Sequence, residues 1–180
     1  MVRSSRSDLS AALAALTEPG SLFLPVEDDN GNTIRCLACA HRCTIADGKH
    51  GVCRLRSNRD GVLHVPAGYV SSIACDPIEK KPFYHFLPGC VALSFGMLGC
   101  NFHCRFCQNW VISQTLKDSA AIAAPRPCTA DKLVELALEK GAPLVASTYN
   151  EPLVTTEWAI QIFKRAHAAG LATAYISNGF

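Results

Sequence analysis

Three cysteines stand close together in the middle of the chain. They lie in the run Gly99-Cys100-Asn101-Phe102-His103-Cys104-Arg105-Phe106-Cys107-Gln108-Asn109. Three thiolates within eight residues of loop can converge on one soft metal centre. A structural zinc ion wants a fourth ligand. His103 is at hand, but a neighbour inside so short a loop is poorly placed to close a tetrahedron. A cubane 4Fe–4S cluster held by three cysteines leaves one iron without a protein ligand, and that iron can bind a cofactor. Inert thiols in a core strand would have apolar neighbours, whereas Asn101, His103, Arg105, Gln108 and Asn109 surround these. The spacing therefore points first to an iron–sulfur cluster.

A second group, Cys36-x2-Cys39-x3-Cys43-x9-Cys53, places four thiolates across eighteen residues, with His41 and His50 interspersed. Four thiolates suit a closed tetrahedral zinc ion and equally an auxiliary iron–sulfur cluster. The bland alternative is a set of reduced thiols in a small core. Gly48 and Gly51 allow tight turns, and Arg42, Lys49 and Arg54 are expected to lower the thiol pKa values. Cys75, Cys90 and Cys128 are isolated and are expected to be buried structural thiols. Glu79-Lys80-Lys81, between Pro77 and Pro82, reads as a rigid, extended, solvated segment with no assigned role. His85 and Trp110 read as packing or capping residues.

The composition narrows the setting. The chain has 180 residues, 49% hydrophobic and 18% charged, which is globular and excludes a disordered or collagen-like chain. Its 17 basic and 15 acidic residues give a net charge of +2, so no electrostatic footprint for nucleic acid is present. No apolar run is long enough for a membrane span. Arg3 and Arg6 precede an Ala/Leu stretch, but Asp8 and Ser10 interrupt it. Leu9, Leu13 and Leu16 share a helical face, so the stretch reads as a short amphipathic helix and not a signal peptide. The expected compartment is the reducing cytoplasm, where ten cysteines are better explained by metal than by disulfides.

The elements that must position these cysteines fall into three regions. Residues 1–35 read as a helix and a linker with turn residues Asp28-Asp29-Asn30-Gly31. Residues 36–89 form a Cys-rich module with short strands at Val62–Val65 and Tyr69–Ala74. Residues 90–180 read as strand, long loop, helix, strand, helix, strand. Val91–Leu98 is nearly all apolar, as a strand buried on both faces requires. Thr129 is a plausible N-cap for a helix to Lys140, with Asp131 in its first turn and Gly141 at its end. Leu144–Tyr149 is the next strand. Pro152 opens a helix carrying Trp158, Ile162 and Ala166, and Leu171–Ser177 is the third strand. Such alternation implies parallel pairing, in a doubly wound sheet or a βα barrel. The loop after Leu98 leaves a strand's C-terminal end, where parallel α/β folds place their sites.

Cys-x3-Cys-x-aromatic-Cys after the first strand resembles the radical S-adenosylmethionine (SAM) enzymes. Asp76-Pro77-Ile78-Glu79-Lys80-Lys81-Pro82, His85-Phe86-Leu87-Pro88-Gly89 and Cys107-Gln108-Asn109-Trp110 narrow the resemblance to the AmmeMemoRadiSam-system radical SAM enzymes, similar to the pyruvate formate-lyase activating enzyme. The resemblance covers residues 33–180. It implies an α/β fold: the N-terminal part of a partial (βα)6 barrel, about three βα units, preceded by the small Cys-rich module. It implies that Cys100, Cys104 and Cys107 ligate a 4Fe–4S cluster and that Phe106 lies beside the adenine of SAM. Many members carry Gly-Gly-Glu after the second strand, and here the run is Tyr149-Asn150-Glu151. The resemblance places Glu151 at the amino group of SAM and puts Tyr149, Ser177 and Asn178 in the cofactor cleft. Glu151 read alone is a helix-start carboxylate, and Asn178-Gly179 read alone is a common turn.

The implied reaction is reductive cleavage of SAM to a 5′-deoxyadenosyl radical that abstracts hydrogen from a substrate. That substrate is unidentified, and a protein, as in glycyl-radical activation, is one option the resemblance allows. The implied partners are a flavodoxin- or ferredoxin-type electron donor and a Memo-like protein. The alternative from another class is a non-catalytic zinc-binding interaction module on residues 36–53. A thioredoxin-like protein is disfavoured, since no Cys-x-x-Cys opens a helix in a βαβ context. A barrel of about six units would extend beyond Phe180. The chain is thus expected to be truncated at its C-terminus, poorly soluble and inactive by itself, with an exposed apolar sheet edge.

Overall fold

The computed structural model describes residues 6–27 and 31–180. Arg3 and the turn residues Asp28, Asp29 and Asn30 lie outside the described residues. Helix α1 (Arg6–Ala15) turns Leu9 and Leu13 against the main core, and Leu16 just after it packs there too. The following residues, read from sequence as a linker, instead form strands. β1 (Thr17–Pro19) and β2 (Phe23–Val26) lead to β3 (Thr33–Cys36), which pairs antiparallel with β2 and with β4 (Thr44–Ile45). β5 (Ser57–Arg59) and β6 (Val62–Pro66) form a hairpin, and β1 pairs with β6, Thr17 opposite Pro66. Strands this short are made by their partners and not by local propensity.

β7 (Tyr69–Val70) and β8 (Ser72–Pro77) precede β9 (Val91–Gly96). Between β8 and β9, Ile78–Lys80 is a 3₁₀ turn, not the extended segment expected. Lys81 is buried and not solvated. Its ammonium lies 3.8 Å from Asp76 and 3.3 Å from the Tyr149 hydroxyl, and so a polar end replaces water. The long loop after β9 holds one short helix, α2 (Trp110–Ser113), and ends in β10 (Arg126–Pro127), which pairs with β7.

α3 (Ala130–Glu139), β11 (Leu144–Ser147), α4 (Thr156–Ala168) and β12 (Ala172–Tyr175) complete the chain. Thr129 caps α3, its hydroxyl accepting from the Lys132 amide, a contact worth about 1 kcal/mol. A 3₁₀ turn at Pro152–Thr155 leads into α4. β9, β11 and β12 pair in parallel, Leu144 opposite both Ala92 and Ala172. β8 pairs antiparallel with β9 and covers that edge, giving the order β12-β11-β9-β8. The sequence-based expectation of a bare three-strand sheet is corrected on that side, and β12 is the open edge. The sheet is apolar on both faces because both are covered. Leu93, Phe95 and Val145 meet Leu133, Ala137, Trp158 and Ile162 of the helices. Ala92 and Leu144 meet Ile78, Phe83 and Leu87 on the other face. No helix among the described residues is long and apolar enough to cross a membrane.

Candidate functional site

The cysteine loop leaves the C-terminal end of β9 at Gly99. Gly99 has φ +81°, and a Cβ there would stand 2.7 Å from Leu55 of the Cys-rich module, so only glycine allows the two segments to meet. The loop backbone is held from below. Lys117 Nζ donates to the Cys100 carbonyl at 2.8 Å, and Gln114 Nε2 donates to that of Phe102 at 3.0 Å. The Cys107 amide closes a turn onto the Cys104 carbonyl at 3.2 Å. His103 is engaged by Gln114 Oε1 at 2.9 Å. Cys107 Sγ lies 3.4 Å from the Ser113 hydroxyl, and Cys104 is exposed. Burial pulls the Lys117 ammonium below the usual lysine value, with the Cys100 and Cys53 sulfurs opposing that shift.

Glu151 follows β11 and is 3% exposed. Its Oε1 accepts from the Leu153 amide at 3.0 Å and the Ser177 hydroxyl at 2.7 Å, and its Oε2 accepts from the Asn178 amide at 2.9 Å. The helix-start reading of Glu151 is therefore present, and the residue also clasps the end of β12. A carboxylate accepts about four hydrogen bonds, so one position stays open for a further donor. Tyr149 adopts φ +72°, the left-handed region that glycine occupies at low cost. The turn is packed tightly, since a Cβ at Gly96 would meet the Thr148 carbonyl at 2.7 Å. The side chain of Tyr149 turns to Lys81.

Asn101 joins these groups. Its Oδ1 accepts from Asn178 Nδ2 at 3.2 Å, and the Cys100 thiol points at the same oxygen at 3.7 Å. Cys100, Glu151, Ser177 and Asn178 thus share one hydrogen-bonded network. Phe106 is left 89% exposed. Asn101, Gln114 and Lys117 carried no signal in the sequence beyond adjacency to the triad. Of the packing or capping roles expected of Trp110 and His85, packing is not seen, since both are exposed.

A buried arginine that sequence reasoning passed over lies against Cys36 of the second cysteine group. Arg56 is 2% exposed, forks onto Glu157 of α4 with both contacts at 2.6 Å, and donates from Nε to Cys36 Sγ at 3.2 Å. Burial raises the Cys39 and Cys53 thiols above their usual values. The cation opposing that rise at Cys53 is Arg56, and not Arg42, Lys49 or Arg54 as expected. Arg54 instead reaches the Leu116 carbonyl at 2.8 Å. Cys75, Cys90 and Cys128 are half-buried, a correction to the fully buried thiols expected.

Among the described residues, no three His, Cys, Asp or Glu side chains are drawn together around one ion position. The fit of the implied groups rests on donor chemistry. The triad offers three soft ligands on a backbone clamped by Lys117 and Gln114. An exposed phenyl face and a carboxylate with a spare acceptor lie around it. That set suits an iron–sulfur cluster with a charged aromatic cofactor.

No family model matches the chain, and no solved structure matches it. The chain is 39% identical over 161 residues to the uncharacterized protein MJ0808 of Methanocaldococcus jannaschii, a match covering 89% of the chain and 47% of that protein. It therefore spans about half the length of this relative.

Proposed function

We propose that this chain carries the cluster-binding and cofactor-binding residues of a radical SAM enzyme, on the first units of a partial (βα)6 barrel. The observation that carries this reading is the path from Cys100 through Asn101 and Asn178 to Glu151. It joins the ends of three parallel strands at the side where such sheets bind ligands.

Cys100, Cys104 and Cys107 would hold three irons of a 4Fe–4S cluster. When bound, the cluster and SAM supply the one-electron chemistry that makes a hydrogen-abstracting radical, which side chains cannot generate. The chain supplies orientation. Lys117 and Gln114 keep the loop backbone in one shape. Glu151 would use its free acceptor position for the SAM ammonium, while Ser177 and Asn178 keep the carboxylate from turning away. Phe106 offers an uncovered face for the adenine. The left-handed backbone at Tyr149 lets a non-glycine residue make the turn that brings Glu151 inward.

The substrate is a hydrogen donor of unassigned structure, with a protein, as in glycyl-radical activation, among the options. A flavodoxin- or ferredoxin-type protein is the proposed electron source, and a Memo-like protein the proposed companion. The test is anaerobic reconstitution with iron and sulfide. The expected result is a visible absorption that bleaches on reduction, shifts its spin signal when SAM is added, and is lost in Cys104→Ser. A reduced, reconstituted full-length protein that leaves SAM intact overturns the reading.

A further inference from the structure

A cavity of about 960 Å³ lies between helix α1 and the Cys-rich module. Its wall includes none of the triad cysteines, nor Glu151, Ser177 or Asn178. A volume of that order suits a small organic ligand. Part of the wall is apolar, made by Leu9 and Leu13 of α1 with Leu55, Pro66 and Leu116. Leu9 and Leu13 are only half-buried in the main core, and their remaining surface lines this space.

The other part of the wall is basic. Arg54, Arg59 and Lys117 line it together with His50, and no Asp or Glu among the described residues does. Asp60 follows Arg59 and Asp118 follows Lys117 in the chain, yet neither belongs to the wall. Among the described residues none of the three cations forms an ion pair. Two of them are held by carbonyls. Arg54 Nη1 donates to Leu116 at 2.8 Å, and Lys117 Nζ donates to Cys100 at 2.8 Å. Those bonds fix the side chains but leave their charge unbalanced. A guanidinium has five N–H donors and an ammonium three, so both keep donors to spare.

The charge reaches its neighbours. Burial, and after it the Arg59 cation, lowers the pKa of both His50 and His64. His64 stands opposite Ser57 in the β5–β6 hairpin, and Ser57 lines the cavity. Directly opposed residues of an antiparallel pair share one face, so His64 lies on the sheet face that floors this space. Its Nδ1 is buried and has no hydrogen-bond partner.

We propose that this cavity binds a small amphipathic anion, a carboxylate or phosphate head on an apolar body. The head group meets the basic wall of Arg54, Arg59 and Lys117, and the body covers Leu9, Leu13, Leu55 and Leu116. An ionised acceptor on Arg or Lys makes a strong hydrogen bond, and the leucines gain by leaving water. A neutral ligand leaves the cations unmatched, and a bare inorganic anion leaves the leucines wet. Lys117 also clamps the Cys100 carbonyl, so the site backs onto the triad loop without sharing its sulfurs. This inference stands apart from the radical SAM reading, since binding is measured with no cluster present.

The test is calorimetric titration of the whole chain, without iron or sulfide, against octanoate, octyl phosphate, 1-octanol and inorganic phosphate. One octyl anion per chain is expected, and the tighter of the two names the head group. Octanol and inorganic phosphate should each bind about tenfold more weakly or worse, for want of the charged hydrogen bonds or of the apolar contact. Arg59→Ser should weaken the octyl anion about tenfold. Ala14→Glu, which sets a carboxylate on the α1 side of the wall, should abolish its binding. Both positions are exposed and lie on different elements, so a folding fault in one variant leaves the other to decide. Octanol bound as tightly as the octyl anions, inorganic phosphate bound as tightly as octyl phosphate, or no saturable binding overturns the proposal. So does unchanged affinity in either folded variant.

Discussion

The two cysteine groups differ in how the fold treats their sulfur. In the group at residues 36–53, Cys36 and Cys53 are 6% and 5% exposed, and the Cys36 and Cys43 sulfurs accept from Arg56 Nε and the Val52 amide. In the group at 100–107, Cys104 is exposed, and the neighbours of Cys100 and Cys107 are an amide oxygen and a hydroxyl. The first group is woven into the protein, with Arg56 tying it to α4. The loop of the second is held through its backbone by Lys117 and Gln114 and through the His103 side chain by Gln114. A site that must admit a cofactor keeps its ligands accessible, whereas a site that only holds structure can bury them.

The sharpest test of this contrast is Arg56→Ala. It leaves Glu157 buried and unpaired, and denaturant unfolding should show a loss of about 3–5 kcal/mol. A loss below about 1 kcal/mol, the range of exposed ion pairs, would mean that the module is not anchored by this pair. Replacing Arg56 and Glu157 together with apolar residues should cost much less than the single change. Gly99→Ala strikes the seam between the two groups. Its positive φ and the Leu55 contact should together cost about 1–3 kcal/mol, and Leu55→Ala in the same chain should recover part of that loss.

The pH dependence should also follow the module. His64 on β6 lies beside the strand that follows Arg56, and burial together with Arg59 lowers its pKa from 6.5. The unfolded chain then takes up a proton near pH 6.5 that the folded chain takes up only at lower pH. Stability present above that value is lost as pH falls through the folded pKa. Thermal unfolding of His64→Gln should show a flatter slope between neutral and mildly acidic pH than the unaltered chain. An identical slope would remove His64 as a cause. The smallest stability effect is expected at Cys104→Ser, within about 0.5 kcal/mol, while iron uptake on reconstitution is abolished. A large stability loss there would erase the contrast between the two groups.

Much of the αβ half was legible because its signals are local. The Thr129 cap, the Trp158, Ile162 and Ala166 stripe and the apolar runs at Val91, Leu144 and Leu171 each report on a few adjacent residues. The strands between Thr17 and Cys36 were not legible. They are three or four residues long, and partners as distant as Pro66 make them. Lys81 looked solvated because charge usually is, and only the approach of Tyr149, 68 residues on, provides the buried end for its ammonium. Arg56 gave no signal for the same reason: Glu157 is 101 residues away.

Cysteine spacing therefore marked out both groups of cysteines from the sequence alone, because residues of one short loop stay near one another wherever that loop lies. Tertiary structure alone decided that Asn101 meets Cys100 and Asn178 through its side chain and His41 through its carbonyl, and that Glu151 is clasped by Ser177 and Asn178. Those contacts join strand ends and turns that are brought together only when the sheet and the hairpin pack, burying apolar faces whose partners lie tens of residues apart.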